Sequence, residues 1–455
     1  MGFEVELAEA LARELGVRAE FVQSDWPNLV PSLERGAFDV AMNGLEVTDA
    51  RLGRVAFTRP YYVFSERLMA RRDDPSVMAD LGSLKGRKVG TLSNSLSFEL
   101  LRGVADPLVY EGTEEAYSDL VAGRSDAVLL DDIIAARYGM TRPELRVVGD
   151  LRDGYYSVAT RPTEADLSEA LDAALARIAA RGELRSILDR HRLWNERQER
   201  LLSWSTADQA QMLARPPPPP PLGPTHVGLF LRSAAVTLVL SALAMLLWAI
   251  PLGLALAVAR LYGGRVVASA SSFYVELYRG TPVLLQLYVL YYGVAPACEG
   301  ALAALLSSLG HPHRPQVPAF VIAVVGLGMN YAAYEAEVYR AAIRAVPPAQ
   351  TEAALALGMP LRLALRRIIL PQALRHAIPN VTNDFIALLK DSSLVSVITV
   401  VELTKQMTIT AVDVRTWVGP GVLCAALYFA MSYPLGVLAR RLEKRLGGER
   451  AGATA

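Results

Sequence analysis

Beyond Val227 the chain carries long stretches without a single charge, and no other feature restricts its fold so sharply. As a helix, Ser233–Ala259 would run roughly 40 Å at 1.5 Å per residue, enough to cross a bilayer with tilt. Gly280–Cys298, Pro315–Tyr334 and Thr416–Ala439 read the same way. Phe385–Leu403 is a fifth candidate, interrupted by Lys390 and Asp391. Buried helices of soluble proteins are shorter and have more polar flanks. An all-α transmembrane domain of about five helices is therefore expected over Val227–Leu446, in contact with membrane lipid, with a short tail at 447–455.

Basic residues orient such a domain. Five crossings place Arg260 and Arg265, the Arg340–Arg375 stretch, and Arg440, Arg441, Lys444 and Arg445 on one side, the cytoplasmic one. The other loops, near Glu299–Gln316 and Thr408–Arg415, hold one arginine each. This puts the N-terminal half outside the cell (plasma or inner) membrane and the C-terminus inside.

That N-terminal half, Gly2–Trp204, mixes charged and apolar residues as a soluble domain does. Val5, Leu7, Ala8, Leu11 and Leu15 recur at helical spacing, with Gly16 placed for a C-cap. "VRAEFV" alternates as a strand, and "LVPSLERGAFDVAM" reads as helix, glycine turn and buried strand. "AYSDLVAGRSDAVLL" repeats that phrase around Gly123, Lys88–Leu92 reads as a strand, and Ala165–Trp194 as a helical run that folds back. Two helix–turn–strand units fit an α/β domain of two similar lobes, about 1–66 with 160–204 and about 67–159. Residues 205–226 are a linker, with Arg215 and six prolines at 216–221, a polyproline II spacer of roughly 19 Å.

Lys+Arg 46 against Asp+Glu 46 leaves no basic footprint for nucleic acid. Both cysteines, Cys298 and Cys424, lie in the apolar half, so the soluble half has no disulfide framework or cysteine metal site. The five histidines form no ligand cluster; His311 and His313 flank Pro312 in an apparent loop, and no metal is expected.

The most specific motif is "EAALALGMPLRLALRRIILP". Glu352, Ala353, Ala354, Gly358, Ile368, Leu370 and Pro371 resemble, at full spacing, the EAA loop of ABC importer permeases. The small alanines suit close helix approach, Gly358 a turn with positive φ, and Pro371 an end to the second helix. The resemblance implies docking on a cytoplasmic ATPase subunit. "SFYVELYRGTPVLLQLYVLYYG", "GLGMNYAAYEAEVYRAAI" and "LLKDSSLVSVITVVELT" resemble the polar amino acid permeases, which implies a homodimer or heterodimer of permease domains. Glu335, Glu337, Lys390 and Asp391 fall at or near membrane depth, facing a cavity or partner or else lying at helix ends. No Gly-x-x-x-x-Gly-Lys-Ser/Thr loop occurs, so no cofactor is expected on this chain and ATP would be used by the partner subunit.

"GFEVELAEALARELG", "WPNLVPSLERGAFDVAMNGLEVTDARLGRVAFTRPYY" and "GRSDAVLLDD" resemble the periplasmic amino acid binding proteins, a two-lobed α/β fold. An α-amino acid zwitterion requires a cation, an anion and an apolar face. The resemblance implies Arg51 for the α-carboxylate, Asp131 for the ammonium and Trp26 for the side chain, with Gly44, Ser93 and Ser95 as further hydrogen-bonding positions. Ser95 stands where the family usually has threonine after glycine, and Asn94 replaces that glycine. Glu46 stands where the family commonly has serine or threonine. Its charge beside Asp131 either favours a cationic ligand side chain or is turned outward, which leaves the ligand open.

Members of that family also begin with a strand and an aromatic-bearing loop before the phrase that here follows Met1, and no signal segment precedes it. A longer natural reading frame is the expectation from this. Two rival classes fit the sequence less well: a ligand-gated ion channel or receptor, for which the EAA loop has no use, and an enzyme on the binding-protein fold, for which no acid–base constellation is placed.

Overall fold

The computed structural model describes residues 2–24, 26–214, 220–309 and 315–447, so most of the proline run lies outside the described residues, as do His311 and His313. The chain divides into two compact units, Met1–Pro219 and Pro220–Ala455.

The first unit is built on one mixed sheet in the order β1–β6–β2–β5–β3–β4. Its strands are β1 Val40–Ala41, β2 Ala56–Arg71, β3 Lys88–Leu92, β4 Asp106–Tyr110, β5 Ala127–Asp131 and β6 Leu145–Thr160. β3 runs parallel to β4 and β5; the other pairings are antiparallel. The sixteen-residue strands β2 and β6 form a long ribbon with a core at each end. At one end Tyr61–Phe64 and Val158 pack with Leu7, Leu11, Leu171 and Leu175. At the other Leu68 and Ala70 pack with Leu84, Val89 and Leu129. β2 shows no strict alternation of apolar and polar residues because most of it is buried on both faces.

The glycine turns form as their sequence requires. Gly16 ends the helix Phe3–Leu15 at φ +68°; Gly36 and Gly123 lie between helix and strand at +76° and +77°. The run expected over Ala165–Trp194 is two helices, Ala165–Ala180 and Glu183–Arg190, broken at Gly182 (φ +72°). "VRAEFV" does not form a strand. Residues 18–24 carry no regular structure, and Val17, Phe21 and Val22 are each more than half exposed. Alternation prepares a strand, but only a neighbouring strand supplies its hydrogen bonds.

The second unit is helical. Pro224–Tyr262, Val283–Ser308, Ala319–Arg344 and Val418–Leu442 are long and apolar enough to cross a membrane. Ala319–Arg344 is the central one, with Leu327, Ala332, Ala333 and Ala336 fully buried. The fifth span expected over Phe385–Leu403 is not a single helix: Leu370–Asp391 ends inside it, and a 3₁₀ stretch Ser392–Ile398 follows. Lys390 and Asp391 lie at that helix end, where a terminus tolerates charge. The loops expected near Glu299–Gln316 and Thr408–Arg415 are largely helix, in Val283–Ser308 and Leu403–Asp413.

Three π-helical turns interrupt these helices, at Ala244–Ala249, Val289–Val294 and Leu365–Ile369. Each ends two residues before a proline, namely Pro251, Pro296 and Pro371. Proline has no N–H for the regular helical bond, and a widened turn relieves its clash with the carbonyl one turn earlier. Pro371 therefore does not end a helix, as expected from sequence. It sits in the first turn of Leu370–Asp391, continuous with the turn before it.

Candidate ligand-binding site

The loop after β1 and the start of the helix Leu96–Leu101 bring most of the candidate residues together. Arg51 is 5% exposed. Its Nη1 donates to the Glu46 carbonyl at 2.7 Å, its Nη2 to the Asn94 carbonyl at 2.8 Å, and its guanidinium lies 4.8 Å from the Trp26 ring centroid. Trp26 also packs against the cluster of Leu29, Leu33 and Leu45. Asn94 holds φ +60°, a left-handed value that asparagine tolerates better than most residues, which turns its carbonyl toward Arg51.

Glu46 does not turn outward. It is 4% exposed; its Oε2 accepts the Leu96 N–H at 2.7 Å and lies 3.7 Å from Arg51 Nη1. Burial pushes its carboxyl up from the usual range, and Arg51 pulls it part of the way back. Asp131, at the end of β5, accepts the Ile134 N–H at 2.7 Å and so caps the turn that follows. Burial raises its carboxyl to about 6, against the pull of the Ile134 N–H and the Tyr156 hydroxyl.

The remaining candidates are partly committed elsewhere. The Gly44 N–H donates to Glu4 Oε1 at 2.6 Å, and Glu4 also accepts from Asn43 N and the Tyr61 hydroxyl. Gly44 itself holds φ +63° against the Tyr156 ring. Ser95 caps Leu96–Leu101, its Oγ accepting the Phe98 N–H at 3.1 Å and donating to the Leu92 carbonyl at 2.8 Å. Ser93 is buried beside them.

Sequence reasoning missed Glu66. It is fully buried, faces Asp131 across the β2–β5 pairing, and accepts from the Ser97 hydroxyl. Its other carboxylate oxygen has no hydrogen-bond partner among the described residues. Burial, then the charge of Glu46, pushes its carboxyl far upward. The signal was an acidic residue, followed by Arg67, inside the largely apolar strand "YYVFSERLMA". The site therefore sets Arg51 beside one buried carboxylate, Glu46, and pairs two more, Asp131 and Glu66, across β2 and β5.

In the second unit, the EAA-like segment forms the helix Pro348–Ala356, a turn with Gly358 at φ +77°, and a second helical segment from Leu361. The Gly358 N–H bonds the Leu355 carbonyl and the Met359 N–H the Ala354 carbonyl, at 2.9 and 3.1 Å. Ala354 is buried; Glu352, Ala353, Leu357 and Pro371 are exposed, and Ile368 and Leu370 half-buried. Glu337 pairs with Arg260 and Arg340, Asp391 accepts from the Tyr331 hydroxyl at 2.7 Å, Glu335 is fully buried, and Lys390 is exposed.

An α/β unit with a buried cation beside a buried carboxylate, followed by apolar helices and a helix–glycine–helix loop, defines a solute-binding domain joined to a membrane permease. Residues 1–193 match the bacterial extracellular solute-binding proteins, family 3. Residues 249–448 match the inner membrane component of binding-protein-dependent transport systems. The octopine transport system permease protein OccQ of Rhizobium meliloti is 37% identical over 177 residues, 39% of this chain and 73% of that protein. A protein named for glutamine transport, GlnP of Rickettsia bellii, is 30% identical over 211 residues, 46% of this chain and 89% of that one. A solved structure described as an amino acid ABC transporter with histidines is 35% identical, covering 49% of this chain and 95% of that one, with a TM-score of 0.41. The chain belongs to the amino acid ABC transporter permeases and carries a family 3 solute-binding domain ahead of its permease domain.

Proposed function

We propose that the first unit binds an α-amino acid outside the cell membrane and delivers it to the second, which passes it inward as one half of a permease dimer. In this reading the two ends of the β2–β6 ribbon act as lobes that close on the ligand. Arg51 clamps the α-carboxylate, Asp131 receives the ammonium, and Trp26 bounds the pocket. One observation carries the reading: a guanidinium 5% exposed stands 3.7 Å from a buried carboxylate, so the unit buries groups of both signs as the two ends of a zwitterion require.

A separate cytoplasmic ATPase drives the cycle through the Glu352–Pro371 loop. Fusing the binding domain to the permease replaces diffusional docking by a high local concentration. The test is isothermal titration of the full chain in nanodiscs against the common amino acids, then uptake by proteoliposomes with and without an ATPase subunit. Binding of at least one amino acid and uptake only with the ATPase and ATP are expected. Uptake by the chain alone would overturn the division of labour, and ion current on ligand addition would favour a channel.

A further inference from the structure

The clamp proposed for a ligand's α-carboxylate is held in this structure by one of the protein's own. Glu46 Oε2 takes the Leu96 N–H at 2.7 Å and stands 3.7 Å from Arg51 Nη1. A cation and a backbone amide converging on one carboxylate oxygen is what an α-carboxylate would seek there. A ligand carboxylate at that position must displace Glu46.

Glu66 makes the displacement consequential. It reaches the first turn of the same helix, because Ser97, its hydroxyl donor, follows Leu96. The β2–β5 register sets it directly opposite Asp131, so both side chains stand on one face of the sheet. It is fully buried, and one of its oxygens has no hydrogen-bond partner among the described residues. Of the nearby arginines, Arg67 is engaged with Asp150 and Arg197 with Asp132, Asp150 and Asp153, while Arg152, opposite Glu66 in the β2–β6 register, is exposed to solvent. Once Glu46 gives up Arg51 to a ligand, it and Glu66 are two buried carboxyls that burial holds neutral, and a cationic group brought between them is what lets them ionise as a charge pair. A neutral side chain offers hydrogen bonds but no charge.

We infer that Glu46 and Glu66 form a subsite for a cationic side chain, so that the site takes α-amino acids ending in a guanidinium or ammonium group. This rests on Arg51 being the α-carboxylate clamp.

L-arginine and L-citrulline share shape and differ in charge, which makes them the discriminating pair. Titrated into the full chain in nanodiscs at fixed pH and salt, arginine should bind at least about thirtyfold more tightly, the low end for one partner of a buried charge pair. In Glu66→Gln that ratio should fall at least about tenfold, and in Glu46→Gln it should fall as well. Citrulline or glutamine binding wild type within threefold of arginine would overturn the subsite. So would a ratio unchanged in both variants. If Glu66→Gln fails to fold, the wild-type ratio and Glu46→Gln decide. The clamp is judged separately: arginine binding to Arg51→Ala within threefold of wild type sinks that reading whatever the ratio.

Discussion

Arg51 is built for its place by several weak preferences acting together: a left-handed Asn94, a partly buried Trp26, and the Glu46 carbonyl five residues before it. Arg51→Ala should cost about 2–5 kcal/mol of ligand binding, the usual range for truncating one partner of a desolvated charge pair. Titration calorimetry reads this directly. The carboxylates give a second expectation, in pH. Burial raises Asp131 from 3.8 to about 6, and raises Glu46 and Glu66 too. A carboxyl with a raised folded value stabilises the fold fully below its unfolded value, and that contribution is lost as pH rises through the folded one. The first unit should therefore gain stability as pH falls from 7.5 to 5.5. Asp131 alone contributes up to about 3 kcal/mol across its whole shift. Hydrogen exchange on β5 amides, corrected for intrinsic pH dependence, should show rising protection; constant or falling protection would refute the linkage.

The turn at Gly358 owes its shape to backbone, not to crowding. A Cβ there would meet nothing within 4 Å, yet φ is +77°. Gly358→Val should cost on the order of 1–2 kcal/mol locally and reshape the loop. Ligand affinity should hold while amino-acid-stimulated ATPase activity of the reconstituted complex falls severalfold; normal stimulation would remove the loop from the coupling path. Gly253 poses the opposite case. A Cβ there would lie 2.5 Å from Glu335 Cβ and 3.0 Å from the Ala332 carbonyl, so this glycine is what lets Pro224–Tyr262 approach Ala319–Arg344. Gly253→Leu should lower the melting temperature of the permease unit in detergent through about 1–3 kcal/mol of overpacking. An unchanged melting temperature would mean the two helices can separate freely.

Orientation can be read on the intact protein. If the N-terminal unit lies outside, trypsin added to inside-out vesicles should cut at Arg362, Arg366 or Arg367, which are open to solvent except for their own helix, and spare the first unit. Rapid loss of the first unit from such vesicles would reverse the topology. The membrane character itself needs no tertiary information. Uncharged length is a property of composition, and a bilayer permits few structures that leave no backbone group unpaired.

Local chemistry was legible in the chain to the same degree. The glycine turns at Gly16, Gly36, Gly123 and Gly358 follow from steric rules that act within a few residues. So does the strand Lys88–Leu92. What fails is everything that depends on a distant partner. "VRAEFV" alternates correctly but pairs with no strand among the described residues, and Phe385–Leu403 is apolar enough in outline but ends a helix at Asp391. Glu66 stands opposite Asp131 only through the β2–β5 register, and Arg51 meets the Asn94 carbonyl across forty-three positions. Pairing of this kind is chosen by which surfaces fit when the chain closes on itself. Hydrogen-bond registers and buried charges are settled there, because their energies depend on burial and distance and not on order along the chain.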